Sequence, residues 1–313
     1  MPDCAVHTSF CRAVRAVLSA EAEEKIRTVP YEFAAFGPDP WFVYRPWEKK
    51  QEARGRRMHT TRTGAFLTAL AVQARESKYP DLLYSYLAGF LCHYALDTAV
   101  HPYVIYRTTE EFRYKGCHRM LEHSMDNLLM QREGTAGGKH PVTDRYMAQM
   151  ELPAEMTEDL DAVYGRVYGW KNVRKDLNSS YRRFRLCYRF MENPKGILAR
   201  LARLTGSETL KSLAYSESVL NETDVDNDEN KIWLHSHDET IRSEESFADL
   251  QKKATDRASG LIESVYRFIY LKEGTEKELA EKIGSDSYLS GLPVGDPRNE
   301  KVPSMRPSRE DTN

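Results

Sequence analysis

The stretch that decides the fold is residues 80–106, PDLLYSYLAGFLCHYALDTAVHPYVIY. A proline followed by an acidic residue at its start is typical of the first turn of a helix. The stretch is strongly apolar, yet His93 and Asp97 interrupt it, so it falls short of the roughly 20 clean apolar residues that a membrane span needs. We therefore predict a long helix in a soluble protein that stays in the cytoplasm.

Metal-ligating residue types recur along this helix at steps of four: His93, Asp97 and His101. Each step overshoots a full helical turn by ~40°, so the three side chains project from one face. A lone buried histidine is more often a hydrogen-bonded core residue than a ligand. Burying Asp97 between two histidines, however, is costly unless its charge has a partner. A divalent metal ion supplies that partner, and the pattern predicts a metal site.

The next predicted helix, residues 110–132, carries the sequence CHRMLEHSMD and places His118 and Glu122 at i and i+4. Paired histidine and carboxylate ligands at this spacing chelate a divalent ion efficiently. This helix ends before a loop with three glycines and a proline. The pair is a second candidate for metal ligation.

Three further candidates precede the long helix. Asp39 lies in the rigid turn Gly-Pro-Asp-Pro, His59 lies near the start of a predicted helix over 57–76, and His7 lies near the N-terminus. Taken alone, each is weak, because a turn aspartate often bonds its own backbone and a single histidine often lies on a solvated helix face.

Helical periodicity dominates the rest of the chain, and no alternating stretch is long enough to build a sheet. We predict an all-α protein with a single multi-helix domain over residues 1–283. From residue 284 the sequence is polar and bears several prolines, which predicts a disordered tail over 284–313. The other predicted helices cover residues 8–25, 154–165, 173–191, 194–204, 244–271 and 275–283.

Composition narrows the function. The 313 residues include 45 Lys+Arg and 47 Asp+Glu, a net charge of −2. A dedicated nucleic-acid binder needs a clear basic excess, so no stable nucleic-acid partner is expected. Five irregularly spaced cysteines indicate reduced thiols rather than a disulfide framework.

The order of the candidate ligands along the chain resembles that of the zinc-dependent phospholipase C family, which includes bacterial phosphatidylcholine-hydrolysing enzymes and the catalytic domain of clostridial alpha-toxin. The matching region spans roughly residues 5–125, and residues 230–254 resemble the family's C-terminal helix with its entry loop. More distantly, the single-strand-specific zinc nucleases share this fold. The residues that carry the resemblance are His7, Asp39, His59, His93, Asp97, His101, His118 and Glu122.

The resemblance implies three zinc ions in one cleft. Asp39, His59, His93 and Asp97 would hold one ion, and His101, His118 and Glu122 would hold a second. His7 would join Asp97, as a bridging carboxylate, at a third. The family completes that third site with an N-terminal tryptophan, whereas this chain begins Met-Pro. Either Pro2 replaces the tryptophan, or other donors complete the site, or only two ions bind tightly.

The activity that follows from the resemblance is hydrolysis of a phospholipid or small phosphodiester, with a zinc-activated hydroxide attacking phosphorus. Asp39 is the candidate general base, although a metal-bound aspartate is a poor base and its role can be purely structural. Two alternatives stay open: a single-strand-specific nuclease, and a non-catalytic metal-binding protein that retains the fold.

Substrate specificity rests on weaker signals. Aromatic residues surround Asp39 and can line a pocket, including a cage for a choline-like cation, but we favour a role in the core. The tentative substrate-binding residues are Phe36, Trp41, Phe42 and Tyr44. Basic runs near residues 49–62 and 182–189 can meet an anionic headgroup or make transient contact with a membrane surface, although solvated helix faces are the favoured interpretation.

Overall fold

The computed structural model describes residues 4–44, 49–111, 117–134, 142–192, 196–213 and 224–300. The fold is all-α, as predicted, with one small pair of strands. The helices are α1 (Cys4–Arg15), α2 (Ala20–Glu24), α3 (Thr28–Ala34), α4 (Lys49–Thr60), α5 (Thr63–Glu76), α6 (Pro80–Tyr106), α7 (Cys117–Arg132), α8 (Val142–Tyr146), α9 (Thr157–Tyr168), α10 (Val173–Met191), α11 (Ile197–Thr205), α12 (Glu208–Leu213), α13 (Phe247–Tyr266) and α14 (Glu276–Ile283).

Helix α6 forms the centre of the molecule. It is apolar on all sides, as expected of a helix that is buried all round, and nearly every residue from Leu83 to Val104 is buried. Helices α1, α3, α5 and α13 pack around it. Most polar side chains between Leu83 and Val104 are therefore held inside the protein, where their partners must come from neighbouring elements.

Two predicted helices are each divided in the structure. The predicted helix over 57–76 is interrupted after Thr60, because Arg62 adopts a left-handed conformation with φ of 56° before α5 begins. The predicted helix over 8–25 is two helices, and the Ser19 hydroxyl accepts a hydrogen bond from the Ala22 amide at the start of the second. His59 therefore lies in the last turn of α4, not near the start of a long helix.

A short antiparallel hairpin was not expected from the sequence. Strand β1 (Trp233–His235) pairs with β2 (Asp238–Ser243). The pair is anchored by Trp233, whose indole lies against the Tyr103 ring and donates a hydrogen bond to the carbonyl of Glu245. Strands this short do not give the alternating pattern that identifies a sheet from sequence.

The C-terminal part corrects the expected boundary at residue 284. Residues 284–300 pack onto the helical body, and the remaining residues of the expected tail, 301–313, lie outside the described residues. Tyr288 is buried, and Asp286 accepts an ion-paired hydrogen bond from Arg257 on α13 at 2.6 Å. The segment is ordered in spite of its polar composition because a few apolar side chains and backbone bonds attach it to α6 and α13.

Among the described residues, no helix has the length and apolar character needed to cross a membrane.

Candidate metal centre

The centre is built outward from α6. Its side chains at positions 93, 97 and 101 are all buried and point from one face of the helix, as the spacing of four residues requires. Elements from four other parts of the chain bring the remaining candidates to this face. The structure thereby gathers all eight predicted ligand residues into three groups, in each of which the ligand atoms lie within 4.8 Å of one another.

The first group joins Asp39, His59 and His93. Asp39 Oδ1 lies 3.2 Å from His59 Nε2 and 3.9 Å from His93 Nε2. The second carboxylate, Asp97, approaches the same space, with Oδ2 at 3.0 Å from His93 Nε2 and 4.0 Å from His59 Nε2. Both imidazoles of this group thus lie within 4.0 Å of a carboxylate oxygen of Asp39 and of Asp97.

The second group joins His7, His93 and Asp97. His7 Nε2 lies 3.4 Å from Asp97 Oδ1, and the His7 ring stacks on the His93 ring with centroids 4.4 Å apart. The two oxygens of Asp97 therefore face different groups, Oδ1 towards His7 and Oδ2 towards His93 and His59. This is the arrangement that a bridging carboxylate needs.

The third group joins His101, His118 and Glu122. His118 Nε2 lies 2.8 Å from Glu122 Oε1, one helical turn away on α7, and the His118 and His101 rings are 6.0 Å apart. The His118 side chain is 42% exposed, whereas Glu122 is buried. His118 is therefore the member of the three groups that solvent reaches most readily.

Backbone carbonyls set the tautomers of three of these histidines. The Nδ1 atom lies 2.8 Å from the Gly55 carbonyl in His59, 3.2 Å from the Ala35 carbonyl in His93, and 2.6 Å from the Tyr288 carbonyl in His101. A carbonyl only accepts, so each Nδ1 carries a proton, and in the neutral ring Nε2 then keeps its lone pair for a metal.

The donor set fits zinc. Several buried polar atoms of the centre lack a hydrogen-bond partner, among them His7 Nε2, His93 Nε2, Asp39 Oδ1 and both oxygens of Asp97. Buried polar groups are normally paired, so this concentration indicates that a ligand is needed. Tetrahedral zinc with bonds of about 2.1 Å places its ligands about 3.4 Å apart. The separations of 3.0–4.0 Å around Asp39 and Asp97 bracket this value.

Charge and burial favour the ligand forms of Asp97, His7 and His101. Burial alone would lower the pKa of His93, but the carboxylates of Asp97 and Asp39 raise it. Burial alone would raise the pKa of Asp97, but the imidazoles of His93 and His101 and the contact with His7 hold this pKa well below its usual range. Burial lowers the pKa of His7, and it lowers the pKa of His101 to about 3. At neutral pH Asp97 is therefore ionised, while His7 and His101 are neutral and able to donate a lone pair.

The turn that carries Asp39 depends on Gly37. This glycine has a φ of +46°, and a Cβ atom built on it would lie 2.3 Å from Cδ2 of His93. Only glycine fits both constraints without strain. Asp39 follows at the start of a short 3-10 turn, Asp39–Val43, and is buried. The sequence marked this turn as rigid, but it did not show that the turn packs directly on a ligand ring.

His7 is positioned by a residue that the sequence analysis missed. The Asp126 carboxylate accepts hydrogen bonds from the backbone amides of Ala5 and Val6 at 2.8 and 2.9 Å, at the start of α1. A carboxylate at a helix N-terminus satisfies free amides and interacts favourably with the helix dipole. Asp126 lies four residues after Glu122 on α7, so the helical spacing that identified Glu122 could also have identified it.

The four tentative substrate-binding residues differ in their surroundings. Phe36 is buried against the rings of Tyr181 and Phe184. Phe42, in contrast, is 40% exposed, and its ring centroid lies 5.0 Å from that of the ligand His59. Phe42 is therefore the member of this set that lies beside both a ligand and solvent.

Trp41 and Tyr44 are buried and form, with Trp170, an aromatic box around a cation from the chain itself. The Arg54 guanidinium lies 4.8 Å from the Trp41 ring, 4.6 Å from the Tyr44 ring and 4.7 Å from the Trp170 ring. Arg54 also forms an ion pair with Asp176 on α10 at 3.3 Å. This box thus contributes a cation–π cluster to the protein interior.

Comparison with known proteins gives one match. The family model described as zinc dependent phospholipase C matches residues 7–185, more than half of the chain. The matched residues include all eight members of the three groups. No curated protein and no solved structure is significantly similar to the chain.

Proposed function

The chain belongs to the zinc-dependent phospholipase C family, and from this premise we propose that it is a zinc-dependent phosphodiester hydrolase whose substrate is a phospholipid or a small phosphodiester. The observation that carries the proposal is the convergence of three histidine–carboxylate groups on one face of α6, within the matched region. Imidazole and carboxylate ligands suit zinc, and groups that share His93 and Asp97 suit closely spaced ions.

When bound, zinc supplies a water-derived nucleophile at neutral pH and neutralises charge on phosphoryl oxygens. The chain supplies the positioning. Asp97 connects the groups through its two oxygens, and the Nδ1 bonds to backbone carbonyls hold the rings of His59, His93 and His101 in place. Ligands held by such outer hydrogen bonds stay oriented through the reaction.

Exposure favours catalysis over a purely structural role. Structural zinc sites are closed, whereas catalytic sites keep a position open to water and substrate. The first group is buried, but the partly exposed His118 and Phe42 leave the centre accessible from α7 and from the turn after Asp39.

Asp39 is the proposed catalytic residue among the ligands. Its Oδ1 atom is buried without a hydrogen-bond partner and faces both His59 and His93. In this position a carboxylate can bind metal and also accept a proton from the attacking water. Replacing Asp39 with Asn keeps the shape of the side chain and removes its charge, so the substitution separates turnover from folding.

The test begins with the metal content of the purified protein, measured by elemental mass spectrometry. We expect two or three zinc ions per chain, removable by a chelator and restored by zinc. Hydrolysis is then measured side by side on a long-chain phospholipid, a water-soluble phosphodiester and single-stranded DNA. The proposal predicts zinc-dependent release of a phosphorylated headgroup, and Asp39→Asn should lower kcat with little change in melting temperature.

Three outcomes would contradict the proposal. Faster cleavage of single-stranded DNA than of either phosphodiester would indicate a nuclease. Full metal content with no hydrolysis of any substrate would indicate a binding protein. One ion or none after incubation with zinc would mean that the ligand groups do not form a multi-metal centre.

A further inference from the structure

A second region of the molecule has the features of a binding site, namely the consecutive helices α10 and α11, which contain none of the predicted metal ligands. Of the twelve exposed large hydrophobic side chains in the described part of the chain, five lie between residues 186 and 204. Leu204 is 83% exposed, Leu186 is 66% exposed and Phe190 is 63% exposed. Single exposed apolar residues are ordinary, but such a concentration indicates a partner or a membrane.

Helix α10 presents two of these side chains directly away from the core. At about 100° per residue, Leu186 and Phe190 lie within one turn of each other on the outer face. The opposite face packs into the protein through buried residues that include Leu177, Tyr181, Phe184 and Tyr188. Packing within the chain therefore does not explain why apolar side chains occupy the exposed positions 186 and 190.

Helix α11 repeats this arrangement after a short connection. Ile197, Leu201 and Leu204 have the spacing i, i+4 and i+7 and are all exposed, so they form one apolar stripe. The buried side chains of α11, Leu198 and Ala202, lie about a third of a turn away. The helix thus lies on the protein along one edge and exposes an apolar stripe beside it.

Positive charge accompanies the apolar side chains. Residues 182–204 contain seven basic residues and one acidic residue, Glu192, in a chain whose net charge is −2. Arg200 and Arg203 flank the stripe of α11 and form no ion pair with any described residue. Arg182 pairs with Glu151, and Arg185 and Arg189 both pair with Asp144, but such exposed pairs contribute about 0–1 kcal/mol and exchange readily.

We propose that the exposed faces of α10 and α11, here called the α10–α11 surface, dock on a bilayer that contains anionic phospholipids. The apolar side chains enter the interface between headgroups and acyl chains, and the arginines bind the phosphates of the lipid headgroups. A second copy of the chain is disfavoured as the occupant, because two such surfaces placed face to face would oppose arginine to arginine.

The docking surface is connected to the metal centre through α10. The inner face of this helix supports the turn that carries Asp39, because Tyr181 and Phe184 pack against Phe36. Docking would therefore hold the hydrolase at the surface where a lipid substrate resides. This consequence of docking rests on the proposed function. Binding itself requires no catalysis and can be measured independently.

The test uses the full-length protein and sedimentation with vesicles. One set contains phosphatidylcholine alone, and the other contains phosphatidylcholine with about one third phosphatidylglycerol. We expect binding to the anionic vesicles that weakens as salt rises from about 0.05 to 0.5 M. The variant Phe190→Ser/Leu201→Ser/Leu204→Ser and the variant Arg200→Gln/Arg203→Gln should each bind at least about ten-fold more weakly.

The matched control is Val17→Ser/Ile232→Ser, which removes comparably exposed apolar side chains elsewhere and should bind like the unmodified protein. The proposal fails if the surface variants bind vesicles normally, or if binding is indifferent to lipid charge. It also fails if sedimentation velocity finds a dimer of the unmodified chain that the apolar variant dissociates, because the surface then belongs to a second copy.

Failure of the docking proposal is distinguishable from failure of the proposed function. Hydrolysis of a water-soluble phosphodiester should be the same in the unmodified protein and in both surface variants. Conversely, Asp39→Asn should bind anionic vesicles normally. Vesicle binding without hydrolysis of any substrate would contradict only the proposed function, and hydrolysis without vesicle binding would contradict only the docking proposal.

Discussion

Two regions of the molecule contribute to the metal centre in different ways. Residues 7–122 contribute side chains that can bind metal directly, and most of these lie on helices at regular spacing. Residues 284–300 contribute none of the predicted ligands. Instead, the Tyr288 carbonyl bonds Nδ1 of His101 at 2.6 Å, and the Tyr288 amide bonds the carbonyl of His59 at 2.9 Å.

The Tyr288 ring extends this support. Its centroid lies 5.3 Å from the ring of His59 and 5.6 Å from the ring of His93. One residue of the C-terminal segment thus contacts three ligand histidines that come from two different helices. The ligands of a metal site and the groups that orient them can therefore come from opposite ends of a chain. The two contributions can be separated by mutation.

The largest effect is expected where a ligand is removed. Asp97→Ala takes away the carboxylate that faces both His7 and His93. We expect the affinity for zinc to fall by at least about 100-fold and hydrolysis to disappear. Elemental mass spectrometry measures the metal, and Asp256→Ala, a carboxylate substitution on α13, is the control. Unchanged zinc content in Asp97→Ala would remove the basis for the site.

Deleting residues 284–313 should have the next largest effect. The deletion removes the bond from the Tyr288 carbonyl to His101 and the ion pair of Asp286 with Arg257. We expect the melting temperature to fall by roughly 10 °C, together with weaker zinc binding. A chain ending at residue 300 keeps the described segment and is the comparison for thermal unfolding. Equal stability and equal zinc affinity of the two truncated chains would show that residues 284–300 contribute nothing to the centre.

A single substitution distinguishes the ring of Tyr288 from its backbone. Tyr288→Ala keeps the carbonyl bond to His101 but removes a buried aromatic side chain, which should lower the free energy of unfolding by about 3–5 kcal/mol. Urea unfolding measures this change. Tyr288→Phe keeps the ring and should be much milder. If both variants lose zinc equally, the hydroxyl rather than the ring supports the ligands.

Gly37→Ala tests residues 7–122 at a close contact between the backbone and a ligand ring. The added methyl would lie 2.3 Å from the His93 ring, in a backbone conformation with φ of +46°. We expect a loss of about 1–3 kcal/mol in the free energy of unfolding and weaker zinc binding. Gly134→Ala is the matched control, because its φ is +65° but nothing lies within 4 Å. Its zinc affinity should not change, and equal affinities in both variants would count against the close approach at Gly37.

The candidate ligands were predictable because their signal is local. Helical spacing places His93, Asp97 and His101 on a common face of α6, and it places His118 and Glu122 on a common face of α7. The all-α fold was predictable for a similar reason, since apolar periodicity repeats within each helix. His7, Asp39 and His59 carried little signal individually and were chosen because their order resembles that of a known family.

The sequence by itself therefore determined which residue types can bind metal, which of them share a face of α6 or of α7, and which family the chain resembles. Only the tertiary structure decided which groups orient them: the carbonyl of Tyr288, the carboxylate of Asp126 and the absent side chain of Gly37. Backbone carbonyls are chemically alike at every residue, so no sequence pattern marks the one that will meet a histidine. Such contacts depend on long-range packing, which brings residue 288 next to residue 101 only when the whole chain has folded.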